Sequence, residues 1–301
     1  MRSRSNKINA SSLFHFTRKF DTLQNIVRNG LRFSYAFERF SPNIIANFNY
    51  PSNPQLVLST YKNAGVAIPM ISFCDIPITR TAEHIGKYGQ YMIGLDKEFI
   101  IDTYNEIINP VLYIHSNNLG DAFDEISNVY AEAHNKQIEQ VLDYSDKKDI
   151  IKDDEEWRAM LKPLLDRKIL TRYIMGLLKP YYDYEKNVCY YDEREWRVFW
   201  PDGLNKDANW IWGISFYDYK ELRTEWNKKL SLDDTNYLTI PAGFLYHGIT
   251  HIVVKGDDQV QKMIDFIMKS KTIFGQKNVS TEERLCLISK ITSFERIEKD
   301  Y

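Results

Sequence analysis

Two periods of apolar residues alternate along this chain, and they mark out its elements. Leu13-Phe14-His15-Phe16-Thr17 is short, aromatic and β-prone, which predicts a strand. A helix follows from Asp21, with Gln24 three residues on as a capping-box partner, an apolar face of Leu23, Ile26 and Val27, and Gly30 to end it in a left-handed position. Leu31 to Phe33, Met70 to Cys74, Tyr91 to Leu95 and Pro110 to Ile114 read as further strands. Residues 40 to 66, with Pro42, Pro51, Pro54 and Gly65, read as a long covering loop.

From Asp121 the period changes. Phe123, Ile126, Val129 and Ala133 recur at helical spacing, as do Trp157, Leu161, Leu164 and Leu165, and then Tyr173, Leu177 and Leu178. The densely charged stretch from Asp146 to Glu156 connects them as a solvated segment. Strands resume at Tyr190 to Trp200, Leu238 to Ile240 and Ile252 to Val254. Val260, Met263, Ile264, Ile267 and Met268 then form an amphipathic helix. Strands and helices without regular alternation predict an α+β fold with a mixed sheet.

Composition narrows the classes. With 39 basic and 41 acidic residues, the net charge of -2 gives no global field toward nucleic acid or anionic membrane, so such binding needs a local patch. Three widely spaced cysteines fit reduced thiols better than a disulfide set or a zinc site. The polar start and the lack of a long apolar run predict a cytoplasmic protein with no membrane span.

Read as one strand, Tyr190 to Trp200 places Tyr191, Glu193, Glu195, Arg197 and Phe199 on one face. Asp192, Arg194, Trp196, Val198 and Trp200 take the other, core-facing side. Carboxylates two residues apart lie roughly 7 Å apart along a strand and can reach one ligand. The ordinary reading of that face is a solvent-exposed row of cross-strand ion pairs. His15, the His84/Tyr88 pair, Ser72 and Asp75 are further candidates, each with a plain structural alternative. A glycine-rich phosphate loop, a metal-spaced cluster and a nucleophile elbow are all missing from the sequence.

Three motifs carry a resemblance. They are F-H-F-T with L-x-x-I-x-x-x-G (residues 14 to 30), P-M-I-S-F-C-D-I-P with H-x-x-x-Y-G (69 to 89), and Y-D-E-R-E-W-R (191 to 197). With Asn109 to Ile114 they resemble the AbiGi-type abortive-infection family, which implies phage defence, a toxin–antitoxin locus and the label antitoxin. The order of histidine strand, glycine-ended helix and late glutamate strand is more distantly similar to DarT-like ADP-ribosyltransferases. That likeness implies a split mixed-sheet core over 8–118 and 186–301, interrupted by a helical insertion at 119–185. It also implies NAD as co-substrate and no metal, with Glu195 on the nicotinamide ribose and Glu193 as proton acceptor. His15, Thr17 and Ser72 would bind NAD, Tyr88 or Tyr35 would stack on nicotinamide, and Arg197 would meet the pyrophosphate or pair with Glu193. The expected function is a defence toxin that ADP-ribosylates nucleic acid, RNA ahead of DNA, with a cognate antitoxin or chaperone as partner. The alternative is a non-catalytic antitoxin or regulatory binding protein.

Overall fold

The computed structural model describes residues 10–39, 64–105, 107–115, 125–133, 135–136, 139, 162, 173–183, 187–199, 209–232 and 236–300. Nine strands form the main sheet: β1 (Ser12–Thr17), β2 (Ser34–Glu38), β3 (Ala64–Cys74), β4 (Tyr91–Asp96), β5 (Ile108–Pro110), β6 (Glu195–Phe199), β7 (Ile211–Ser215), β8 (Ile249–Val254) and β9 (Ile291–Ser293). Their order is β9-β8-β4-β1-β3-β6-β5, with β2 and β7 also paired to β3. The β8–β9 pair is parallel and the rest are antiparallel, so the sheet is mixed, as the sequence predicts.

The long strand β3 organises the middle. On one edge it pairs along β6 from Glu195↔Cys74 to Phe199↔Met70, and then with β7. On the other it meets β1 at Phe14↔Cys74 and β2 from Ser34↔Met70 to Glu38↔Val66. Between those two ladders the strands fork. There the His15 ring takes the place of a backbone donor, its Nδ1 2.9 Å from the Ser72 carbonyl.

Both faces of the sheet are covered, because alternate residues of β3 and β6 are apolar on both sides. Ile71, Phe73 and Val198 join the large core, which is roofed by helices α1 (Phe20–Asn29), α4 (Phe216–Leu230) and α5 (Val260–Lys269). Helices α2 (Ala82–Tyr88), α3 (Lys97–Thr103), α6 (Thr281–Ile288) and α7 (Phe294–Asp300) complete the set used below. The opposite sheet face carries two smaller clusters. One holds Met70, Leu177, Phe199 and Trp210, and the other Phe14, Met92, Val253 and Phe294.

Several boundaries differ from the sequence expectation. Helix α1 starts at Phe20 and has no side-chain cap, so the Asp21/Gln24 capping box does not form; Asp21 instead faces the positive end of the helix dipole. The box is found at Ser280 and Glu283, on α6. Gly30 does close α1 at φ 95°. Pro110 to Ile114 is not one strand: β5 ends at Pro110, and Leu112–Ile114 leaves to pair in parallel with Leu178–Pro180. In the helical residues 125–133, Ile126 and Val129 are exposed while Ser127, Tyr130 and Ala131 are buried, so the buried face is not the one the apolar spacing predicts. The tail of the expected insertion is extended, as Leu178–Pro180 and Tyr182–Asp183 are strands. Residues 40–63, Phe123, the charged segment from Asp146 and the apolar residues Trp157, Leu161, Leu164 and Leu165 lie outside the described residues.

Two glycines of one motif behave oppositely. Gly89 sits at φ +114°, and a Cβ there would meet the Thr17 carbonyl at 2.3 Å, so Gly89→Ala should cost about 3 kcal/mol by strain and clash. Gly86 faces open space inside α2, so Gly86→Ala should stabilise by about 0.5–1 kcal/mol. Urea melts of both variants check the pair, and equal effects would contradict this placement of the turn.

Candidate functional site

The segment after Cys189 does not run straight. Tyr190–Glu193 forms a 3-10 turn, and Arg194 adopts a left-handed backbone at φ 42°, ψ 52° before β6 begins at Glu195. A non-glycine residue in that region is uncommon, and here it turns the chain so that Glu193 and Glu195 converge from different backbone directions. The expected alternation along one strand is therefore corrected. The carboxylates meet through a bend.

They meet on Lys179. Its Nζ donates to Glu193 Oε2 at 2.8 Å and to Glu195 Oε2 at 2.7 Å. Lys179 lies on Leu178–Pro180, outside the main sheet. Arg197, with no exposed side-chain surface, gives Nε to Glu195 Oε1 (2.8 Å), Nη2 to Glu38 Oε1 (2.8 Å) and to Glu195 Oε2 (3.3 Å), and Nη1 to the Gly176 carbonyl (2.7 Å). Gly176 comes this close because it lacks a Cβ, which would meet the Phe199 ring at 2.6 Å. Ser72 donates its hydroxyl to Glu195 Oε1 at 2.7 Å. Each oxygen of Glu195 thus holds two donors, and the backbone N–H of Glu195 donates to the Tyr113 hydroxyl at 2.8 Å.

Register explains the assembly. Residues paired across a sheet share a face, so Phe14, Cys74, Ser72, Glu195 and Arg197 all project to the side that carries the two smaller clusters. The charges sit between those clusters. Tyr88 completes the rim: its hydroxyl donates to Glu193 Oε1 at 2.5 Å, and its ring stacks with His84 and tilts against Phe16. Lys87 approaches the same oxygen at 3.8 Å from the more exposed side.

Electrostatics follow from burial and contact. Burial pushes the Glu195 carboxyl up, but Arg197 and Lys179 outweigh it and hold the group down at about 2. Burial would lower Lys179, and the two glutamates reverse that and raise it. Arg197 is likewise raised by Glu195 and Glu38 against its own desolvation. Tyr88 is raised by burial and by the Glu193 carboxylate, so it stays a phenol donor.

The structure brings Glu193, Glu195, Ser72, Tyr88 and Arg197 together. The exposed-face alternative is corrected, because Glu193 is 3%, Glu195 7% and Arg197 0% exposed. Three expected ligand residues do not join them. Tyr35 is locked in the large core, giving its hydroxyl to the Asn209 carbonyl and its ring to Trp226. Thr17 lies at the far end of β1, opposite Tyr91. His15 projects to the large-core face, edge-on to Phe73, and reaches this site only through the Ser72 backbone. Burial lowers the His15 pKa, keeping the imidazole neutral with its proton directed at that carbonyl. Asp75 is buried in an ion pair with Lys97.

Lys179, Glu38 and Tyr113 were not found by sequence reasoning. One signal was available: a residue before proline avoids helical backbone, so Lys179, preceding Pro180, is extended. Among the described residues no group of three His, Cys, Asp or Glu side chains is arranged to hold a metal ion. No helix among them is long and apolar enough to cross a membrane.

A mixed α+β sheet protein with a closed, charged cluster on one face is the class that fold and site define. Residues 56–238 match the family model for the abortive phage resistance protein AbiGi, described as an antitoxin. The chain belongs to that family. It is also 29% identical, over 264 residues, to the abortive phage resistance protein AbiGi of Lactococcus lactis subsp. cremoris, an alignment covering 84% of this chain and 97% of that one. The second and third sequence motifs and the Lys179 strand fall inside the family match, while F-H-F-T precedes it. No solved structure matches the chain.

Glu195 should therefore act on stability first. Its folded pKa lies below its unfolded value, so its contribution is complete above about pH 4.5 and is lost as pH falls toward 2, on the order of 3 kcal/mol in all. Glu195→Gln should cost about 3 kcal/mol at pH 7, because Arg197 and Lys179 stay buried without their carboxylate, and should flatten the acid limb. Denaturant unfolding of both proteins at pH 7, 5, 4 and 3 checks this. A wild-type stability that is level from pH 5 to 3 contradicts it.

Proposed function

We propose that the protein is a phage-defence protein acting as the non-catalytic, restraining partner of an abortive-infection pair, an antitoxin in the sense of its family's description. The observation that carries this is the saturation of Glu195. A carboxylate that stabilises a ribose oxocarbenium ion must present an oxygen to the sugar. Both oxygens here are occupied by Ser72, Arg197 and Lys179. A ribose hydroxyl entering that shell would displace one of these donors and leave a buried charge unpaired, at a cost of several kcal/mol. The cluster instead suits a rigid support that holds a binding surface in one shape.

A second reading, an ADP-ribosyltransferase acting on RNA or DNA, is favoured by one observation. Tyr88, Ser72, Glu193 and Glu195 converge beside the fork of β1 and β3, the kind of split sheet that the DarT-like resemblance implies. In that reading Lys179 is a plug that withdraws when NAD enters. Glu195 would then face the ribose as its C–N bond to nicotinamide breaks and a bond from C1′ to the acceptor nucleotide forms, nicotinamide departing and the acceptor's proton passing to Glu193.

Expression in a bacterial host separates the two. The antitoxin reading predicts normal growth when the chain is expressed alone, relief of growth arrest when it is co-expressed with the toxic product of a neighbouring gene, and no nicotinamide release from NAD in the presence of total RNA or DNA. Growth arrest by the chain alone, with label from NAD appearing on nucleic acid, would overturn it in favour of the transferase.

A further inference from the structure

On the opposite side of the large core, the C-terminal ends of α1 and α5 and the segment after α5 enclose an open cleft of about 690 Å³, within the range of ligand sites. Among the described residues, its walls carry Arg28, Lys262, Lys269 and Lys271 against one carboxylate, Asp265. All four cations are exposed. In a chain of net charge -2, this is a local basic patch of the kind that bulk composition conceals.

Not all of that charge is available. Lys262 pairs with Asp258 at 3.4 Å, and Asp265 accepts from Gln261 at 2.9 Å. Lys269 lies in the last turn of α5, where a cation also favours the helix dipole. Arg28 likewise lies in the last turn of α1, so helix dipoles account for Lys269 and Arg28 but not for Lys262 and Lys271. Lys271 follows two residues after the end of α5, and Thr272 and Gln24 add neutral hydrogen-bonding groups to the same walls.

Arg28 adds a geometric feature. Its guanidinium carbon lies 4.9 Å over the centre of the Phe266 ring while the side chain stays exposed. A guanidinium plane held this way is a stacking surface for a nucleobase, and the lysines around it suit phosphates. An acidic peptide would use the charges and leave the plane unused.

We infer that this cleft binds a single-stranded nucleic acid, its phosphates on Lys269 and Lys271 and a base on Arg28. The inference does not depend on the antitoxin reading, since the cleft shares no residue with the Glu195 cluster.

Fluorescence anisotropy of the full chain with a short, labelled, single-stranded RNA of mixed sequence tests it. Binding should weaken with salt. Lys269→Glu/Lys271→Glu should lower affinity by roughly tenfold or more and reduce the salt slope by about 1.4, at about 0.7 per phosphate contact. Lys229→Glu, on α4 and away from the cleft, should leave binding unchanged, and Arg28→Lys should weaken binding while keeping the slope. Melting temperatures of the variants report folding independently. No binding by the wild type, an equal loss in the Lys229 variant, or competition by polyglutamate or free nucleotide as strong as by unlabelled RNA would each overturn the inference.

Discussion

Burying one guanidinium dictates the geometry of this sheet face. Arg197 has no exposed side-chain surface, and an arginine cannot shed its proton to ease the cost of leaving water. Its donors must therefore find acceptors inside the protein, and they find Glu195, Glu38 and the Gly176 carbonyl. Those acceptors come from three places in the chain. Glu195 shares the strand of Arg197, Glu38 ends β2, and Gly176 lies in the helical residues 173–177, outside the sheet. Satisfying Arg197 thus fixes the position of the segment that supplies Lys179 three residues later. Lys179 then neutralises part of the carboxylate charge that Arg197 alone leaves over.

The same constraint bears on function. Buried ion pairs often add little net stability compared with apolar packing, yet they penalise every arrangement that leaves one member unpaired. A cluster in which Glu195 has no vacant position is well suited to specifying one conformation of a surface. It is poorly suited to meeting a sugar without prior rearrangement. Membership of the AbiGi family, with its antitoxin description, sits comfortably beside that physical reading.

What the sequence made legible follows from period and what it hid follows from tertiary contacts. β1, the second half of β3, β4 and α5 carry clean period-2 or period-3.6 patterns, and each was found close to its place. The convergence of Glu193 and Glu195 was foreseen, but through alternation that the structure replaces with a left-handed Arg194, a conformation that no arginine advertises. Lys179 was hidden because the helical spacing of Tyr173 and Leu177 continues into Leu178, where the chain is already extended. Tyr35 and His15 were plausible by residue type and displaced by register: one residue's shift along a strand moves a side chain to the other face. The first half of β3 and all of β2 were missed because Gly65, Pro69 and mixed polar residues blur the alternation there.

Lys179 and Glu195 are held together in the resting protein as parts of one cluster. A double-mutant cycle of Lys179→Met and Glu195→Gln, read by denaturant unfolding at neutral pH, tests it most directly. A coupling energy of about 1–3 kcal/mol is expected, with the double variant more stable than the sum of the single losses implies. Losses that add within about 0.5 kcal/mol would mean that the two side chains do not meet, and would contradict it.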